Sequence, residues 1–246
     1  MKKKIFTAAA MLLLLAAFAG TAFPAGRTKN FGGVLLPVNT VLMPDDAKMP
    51  RTGGLSLEAA ERVWQHLSHF TGFDAFLVYD PSETINAGIT KDEQGDFILT
   101  VHRGILETLR TEDELAAVFA HEIGHGVKGH HDKTVQRQTG LGLLVNLLSR
   151  ALGKGSLGEI AAGAGGALVN QGYSREQEVE ADDYGVEISA KAGFSPWGLY
   201  TAIQRMADAG VVAQPGGFNS HPPTERRMTR LKEKALYWEK KLSSQE

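Results

Sequence analysis

The chain of 246 residues contains no cysteine. It therefore has neither disulfides nor a thiol nucleophile, and any metal site has to use histidine and carboxylate ligands. A structural zinc site, which normally has four ligands rich in cysteine, is disfavoured for the same reason. The lack of cysteine also means that the protein is not a lipoprotein, because no residue could carry the lipid.

The chain also lacks a large excess of charge of one sign. Its 26 basic and 28 acidic residues give a formal net charge of −2 at pH 7. This balance provides no electrostatic basis for a nucleic-acid partner, and a hydrophobic content of 43% argues against disorder. Without internal repeats or a convincing second domain, residues 26–246 are interpreted as a single domain.

No apolar run near the N-terminus is long enough to span a bilayer. Residues 5–19 are almost wholly apolar, but a membrane-spanning helix needs about 20 such residues. This run follows three lysines at residues 2–4 and precedes several small residues. We therefore predict a secretory signal peptide over residues 1–22, cleaved near residues 19–25, and an exported mature protein.

Hydrophobic periodicity predicts a mainly helical α+β fold with a small β-sheet. Residues 26–54 read as an extended, irregular arm, and residues 56–70 as an amphipathic helix. Strands are expected at residues 73–79, 86–90 and 97–101, the last two joined by a charged, glycine-containing hairpin.

Capping signals mark the later helices. Thr111 and Glu114 form a capping box ahead of one helix, and Ser174 and Gln177 form a second box whose helix should end near Gly193. Two further helices are expected, one from Ser195-Pro196 to Gly210 and one from Thr224, whose basic run at residues 226–234 is interpreted as a solvated face.

Residues 140–172 combine apolar runs with many glycines. The charged residues Arg150, Lys154 and Glu159 interrupt this stretch and argue against a transmembrane span. We interpret it as a buried helical insert, with a membrane-touching segment or a mobile lid as the alternative.

The sequence HEIGH at residues 121–125 carries the chemistry. His121 and His125 are four residues apart and project from the same side of a helix, so both imidazoles can bind one zinc ion. Glu122 faces the same cleft and can take a proton from water. These residues predict a hydrolytic zinc site.

Catalytic zinc needs a third protein ligand and an open position. His131 lies ten residues after His121, but the ligand geometry of that spacing requires a glycine where Lys128 stands. Glu178 on the next capped helix is preferred, because Asp182, one turn later, can orient a ligand histidine. His130 and His131 are then expected to face solvent, with Glu180 as a surface charge.

Four segments together resemble peptidase family M48, which includes HtpX- and BepA-like proteases and CAAX prenyl endopeptidases. They are HEIGH at residues 121–125, Ser174-Arg175, Glu178 with Ala181-Asp182, and HPPTER at residues 221–226. The resemblance spans residues 86–227 and implies a zincin domain of the gluzincin type, one Zn²⁺ per chain, and Glu178 as the third ligand. It suits best the soluble periplasmic members, which points to a periplasmic location, soluble or peripheral to the membrane.

The resemblance also raises a role for His221. The matching histidine of BepA-like members approaches the zinc, which implies a fourth ligand in a latent state, a switch, or a group that stabilises the oxyanion. Simple exposure in a proline-rich loop is the remaining alternative.

Together these features predict a zinc metalloendopeptidase that hydrolyses peptide bonds of unfolded or misassembled envelope proteins. Its partners would be protein or peptide substrates, with peripheral contact to the membrane or to outer-membrane assembly machinery. The strand near residues 86–89 could pair with an extended substrate. The alternative is a chaperone-like binding module with an occluded, inactive zinc site.

Overall fold

A computed structural model describes residues 53–92, 94–136, 173–210 and 224–244 in full, and the backbone of strands between residues 28 and 42. The predicted signal peptide, the 140–172 insert and His221 lie outside the described residues. Within the described ranges, no helix combines the length and the apolar character needed to cross a membrane.

In the described residues, all six strands lie before residue 103, and the helices after that point follow with no further strand. The strands are β1 (Thr28–Phe31), β2 (Val34–Pro37), β3 (Val41–Leu42), β4 (Phe76–Asp80), β5 (Ala87–Lys91) and β6 (Phe97–His102). The helices are α1 (Leu57–Thr71), α2 (Arg103–Thr108), α3 (Glu112–Val127), α4 (Arg175–Lys191), α5 (Gly198–Asp208) and α6 (Glu225–Ser243). Residues 130–136 form a further helical segment after α3.

The main sheet has the order β3-β4-β6-β5. Strands β3, β4 and β6 run parallel, whereas β5 pairs antiparallel with β6, with Ile89 opposite Leu99. The predicted hairpin at residues 86–101 is thereby confirmed. The irregular arm predicted for residues 26–54 is wrong in part, because β1 and β2 pair with each other and β3 joins the main sheet.

The predicted helix ends are largely confirmed. Both capping boxes are present, Thr111 with Glu114 and Ser174 with Gln177. Helix α5 begins at Gly198 rather than at Ser195-Pro196, because the Gly198 N–H bonds back to the Ser195 carbonyl and closes a turn first.

Helix α3 lies at the centre of the molecule and packs against both α4 and the sheet. Its apolar side chains are buried almost completely; they include Leu115, Val118, Phe119 and Ile123. Gly124 and Gly185 let α3 and α4 approach closely, since a Cβ on Gly185 would lie 3.1 Å from the backbone nitrogen of His121. This close contact places α4 beside the HEIGH segment.

Candidate metal centre

Both histidines of the HEIGH segment lie inside the protein. His121 and His125 have no exposed surface, and their Nε2 atoms are 3.1 Å apart. One helical turn separates the two residues, so their rings project from the same side of α3 toward α4. The predicted convergence of the two imidazoles is therefore present.

Glu178 completes a three-residue cluster from α4. Its carboxylate oxygens lie 3.7 Å from His121 Nε2 and 3.4 Å from His125 Nε2. Ligand atoms about 2.0–2.1 Å from a tetrahedral zinc ion are separated by about 3.3 Å. The spacing of the two imidazoles and the carboxylate thus fits one ion, and the three side chains form a group that could hold a metal. His131 is half-buried and is not part of this cluster.

The electrostatics of the cluster also suit a cation. Burial raises the pKa of Glu178 to about 7, against opposing effects of His121 and Arg227. Burial, together with the neighbouring Glu178 carboxyl, raises the pKa of Glu122 well above its usual range. Two carboxyls in such surroundings are short of positive charge, which a divalent cation supplies.

Asp182 supports His121 from one turn further along α4. Its Oδ1 lies 3.1 Å from His121 Nδ1, so an Nδ1–H donates to the carboxylate and the Nε2 lone pair faces the cluster. Burial disfavours a charged Asp182, but Arg227 and the hydrogen bond from His121 outweigh it and hold the pKa of Asp182 well below its usual range.

Arg227 is the group that the sequence analysis misplaced on a solvated face. Its side chain is only 9% exposed and donates from Nε and Nη2 to Asp182 at 2.9 and 2.7 Å. The signal was present, because Arg227 is one turn before Leu231, and Leu231, Ala235 and Trp238 form the buried stripe of α6.

Glu122 is tied to the sheet. Its side chain is 1% exposed, and its Oε2 accepts the backbone N–H of Ile89 on β5 at 3.0 Å. This bond fixes the carboxylate between the cluster and the edge of the main sheet.

The expectation that His130 faces solvent is wrong. Gly129 adopts a positive φ of 65° just after α3, and the chain turns so that His130 comes back over His125. His130 has no exposed surface; its Nδ1 lies 3.0 Å from His125 Nδ1 and its Nε2 lies 3.2 Å from Glu180 Oε2. Glu180 is a surface charge as expected, with 52% of its side chain exposed, but it also pairs with this buried histidine.

Tyr173 was also missed by the sequence analysis. Its ring stacks on His125, with centroids 3.8 Å apart and planes at 15°. Burial raises the pKa of Tyr173, with smaller contributions from Glu122 and Glu178. The one sequence signal for this contact was that Tyr173 directly precedes the N-cap Ser174 of α4, the helix that also carries Glu178.

A buried pair of histidines on one helix and a carboxylate from a second helix, beside a small sheet, form the arrangement that zinc peptidases with an HExxH motif use. The family model described as "Peptidase family M48" matches residues 58–235. Because this match covers most of the chain, the protein belongs to that family.

Individual relatives agree with this assignment. Metalloprotease LoiP of Escherichia coli is 33% identical over 138 residues, which cover 55% of this chain and 54% of LoiP. Metalloprotease YcaL of the same organism is 29% identical over 140 residues, covering 54% of this chain and 53% of YcaL. A putative beta-barrel assembly-enhancing protease of Vibrio cholerae is 31% identical over 147 residues, covering 56% of this chain and 30% of that protein. The chain therefore matches about half the length of LoiP and of YcaL.

Proposed function

We propose that the protein is a zinc-dependent endopeptidase of the gluzincin type. One zinc ion would be held by His121, His125 and Glu178, with Asp182 orienting His121 and Glu122 acting on the substrate. The observation that carries the proposal is the convergence of two imidazole Nε2 atoms and a carboxylate within 3.1–3.7 Å of one another in a buried site.

A bound zinc ion would supply Lewis acidity that acidifies water and polarises a peptide carbonyl. Glu122 would accept a proton from the attacking water and later donate it to the amine that leaves. The hydrogen bond from the Ile89 N–H keeps one oxygen in place and leaves the other for the proton.

Strand β5 would hold the substrate. Within the described residues, it has β6 on one side only and forms the edge of the main sheet. An extended peptide could add to this edge through backbone hydrogen bonds, which require no particular side chain. Since Ile89 also contacts Glu122, a peptide paired with β5 would run directly past the proposed base.

The proposed substrates are unfolded or misassembled proteins of the bacterial envelope. The name of the Vibrio cholerae relative, a beta-barrel assembly-enhancing protease, supports this class. The predicted signal peptide supports a periplasmic location, with contact to outer-membrane assembly machinery or the membrane as an extension of the proposal. His221 would hold the enzyme latent by binding zinc until a substrate or partner displaces it.

The alternative is a chaperone-like binder whose zinc site is permanently occluded. Both hypotheses predict bound zinc, but only the first predicts cleavage. The discriminating experiment measures zinc content and degradation of casein for wild type, His221→Ala and Glu122→Gln, with the exposed Glu233→Gln as a matched control.

The endopeptidase predicts equal cleavage by wild type and by Glu233→Gln, or cleavage by His221→Ala alone if the site is latent. Glu122→Gln should bind zinc and cleave nothing. Undiminished cleavage by purified Glu122→Gln protein would refute the mechanism. Bound zinc without cleavage in wild type and in His221→Ala would favour the binding module.

A further inference from the structure

We propose that His130 and Glu180 position the zinc ligand His125 through a chain of two hydrogen bonds that ends at the protein surface. The inference rests on the proposed zinc site, but it concerns residues outside the three ligands. His130 is a positioning residue in this scheme and contacts neither the metal nor the substrate.

The two hydrogen bonds form an unbroken path from the metal cluster to the protein surface. The two Nδ1 atoms of His125 and His130 are 3.0 Å apart, and their rings meet edge to face with centroids at 5.1 Å. The other nitrogen of His130 lies 3.2 Å from the carboxylate of Glu180, whose side chain is half exposed. A fully buried histidine thus connects a proposed ligand to a surface carboxylate.

Zinc binding by His125 would determine which ring nitrogen carries the proton in both His125 and His130. His125 presents Nε2 to the cluster, so that atom has to keep its lone pair and the proton has to be on Nδ1. The Nδ1–H then donates to Nδ1 of His130, which in turn carries its own proton on Nε2. That proton points at Glu180, and an ionised carboxylate is the strongest available acceptor for it.

The backbone of His130 is also held by α4. Gln177, the last residue of the α4 capping box, donates from its side-chain amide to the His130 carbonyl at 3.3 Å. The same Gln177 side chain contacts Thr134 at 3.4 Å, one turn further on. Helix α4 therefore anchors the 130–136 segment next to the position where it supplies Glu178.

The two ligand histidines consequently receive unequal support. His121 donates directly to Asp182, a carboxylate that is 1% exposed and is neutralised by Arg227. His125 reaches its carboxylate only through a second imidazole, and Glu180 is exposed to solvent. Surface changes near Glu180 should therefore act on His125 and leave His121 unaffected.

The test is a measurement of zinc affinity by competition with a chelator of known affinity, on the full mature chain. Loss of an outer hydrogen-bonding partner of a ligand typically weakens metal binding by about 10- to 100-fold. We expect a loss in this range for His130→Ala. His130→Asn should retain nearly wild-type affinity, because its side-chain oxygen can take the place of Nδ1 and still accept from His125.

Glu180→Ala should weaken zinc binding in the wild-type background, because the proton of His130 is then no longer held on Nε2 and Nδ1 is less often free to accept from His125. It should have no effect in the His130→Asn background, because the asparagine oxygen accepts from His125 without help from Glu180. Glu187→Ala is the matched control for Glu180, since Glu187 is another half-exposed residue of α4 with one ion-pair partner, Lys191. His131→Ala controls for the loss of a neighbouring histidine. Both controls should bind zinc like wild type.

Two further readouts separate positioning from a general loss of structure. The absorption spectrum of the cobalt-substituted protein should change in His130→Ala and not in His131→Ala, because it reports the ligand field at the metal. The melting temperature of the metal-free protein should be nearly the same for His130→Asn, Glu180→Ala and wild type.

Wild-type affinity in His130→Ala would overturn the inference, as would equal effects of Glu180→Ala and Glu187→Ala. If His130→Ala does not fold, the comparison of Glu180→Ala in the wild-type and His130→Asn backgrounds decides the question. Failure of the proposed zinc site would look different: wild type would then bind no zinc, or bind it as tightly after His125→Ala. Failure of the proposed peptidase activity would leave these zinc affinities unchanged and would appear only as a lack of cleavage.

Discussion

Removing the guanidinium of Arg227 should destabilise the protein and weaken its metal site at the same time. Arg227→Leu keeps an apolar side chain over α4 but leaves the Asp182 carboxylate, 1% exposed, without its cation. Loss of one partner from a buried ion pair typically costs about 3–5 kcal/mol, because the other charge remains desolvated. The pair here makes two hydrogen bonds of 2.9 and 2.7 Å, so a loss near the middle of that range, about 4 kcal/mol, is expected.

The assay is urea unfolding of the metal-free protein at neutral pH, analysed by linear extrapolation. Arg230→Leu is the matched control, since Arg230 lies on the same helix and bonds to the Val179 carbonyl and to Asp183 at a more exposed position. We expect the control to lose at most about 1 kcal/mol. Equal losses in the two variants, or a loss below about 1 kcal/mol for Arg227→Leu, would refute the argument that Asp182 depends on this one cation.

Three other changes test separate parts of the site. Gly185→Ala places a methyl group about 3.1 Å from the backbone of His121, which can yield only if α3 moves. We therefore expect the free energy of unfolding in urea to fall by about 1–2 kcal/mol and zinc binding to weaken. Unchanged values would show that the helices are not in close contact. Removal of metal by a chelator should lower the melting temperature and zinc should restore it, because an ion that binds only the folded protein stabilises it; a melting temperature that zinc does not change would contradict the site. Tyr173→Phe retains the stacked ring over His125 and should bind zinc like wild type, whereas Tyr173→Ala should bind it more weakly; equal affinities would show that the stacking is unimportant.

Local signals account for what the sequence predicted well. The two capping boxes and the spacing of His121 and His125 depend only on neighbours within one or two helical turns, and both are present in the structure. The preference for Glu178 over His131 as the third ligand stays a prediction, and it too required only the helical period, which places Asp182 on the same face as Glu178.

The predictions that were wrong concern features that depend on how the chain turns or on which face of a helix meets another helix. His130 is five residues after His125, a spacing that faces away on a straight helix, and only the turn at Gly129 returns it to the site. Arg227 looked like one of many surface cations until α6 was placed against α4. The pairing of strands at residues 28–42 likewise depends on partners that no local pattern specifies.

The most direct test of the central claim is a crystal structure of the zinc-loaded protein, with anomalous diffraction recorded on both sides of the zinc absorption edge. The proposed site predicts one zinc peak per chain, bound by the Nε2 atoms of His121 and His125 and by the carboxylate of Glu178. A peak bound by His131 in place of Glu178, or no peak between the two histidines, would contradict it.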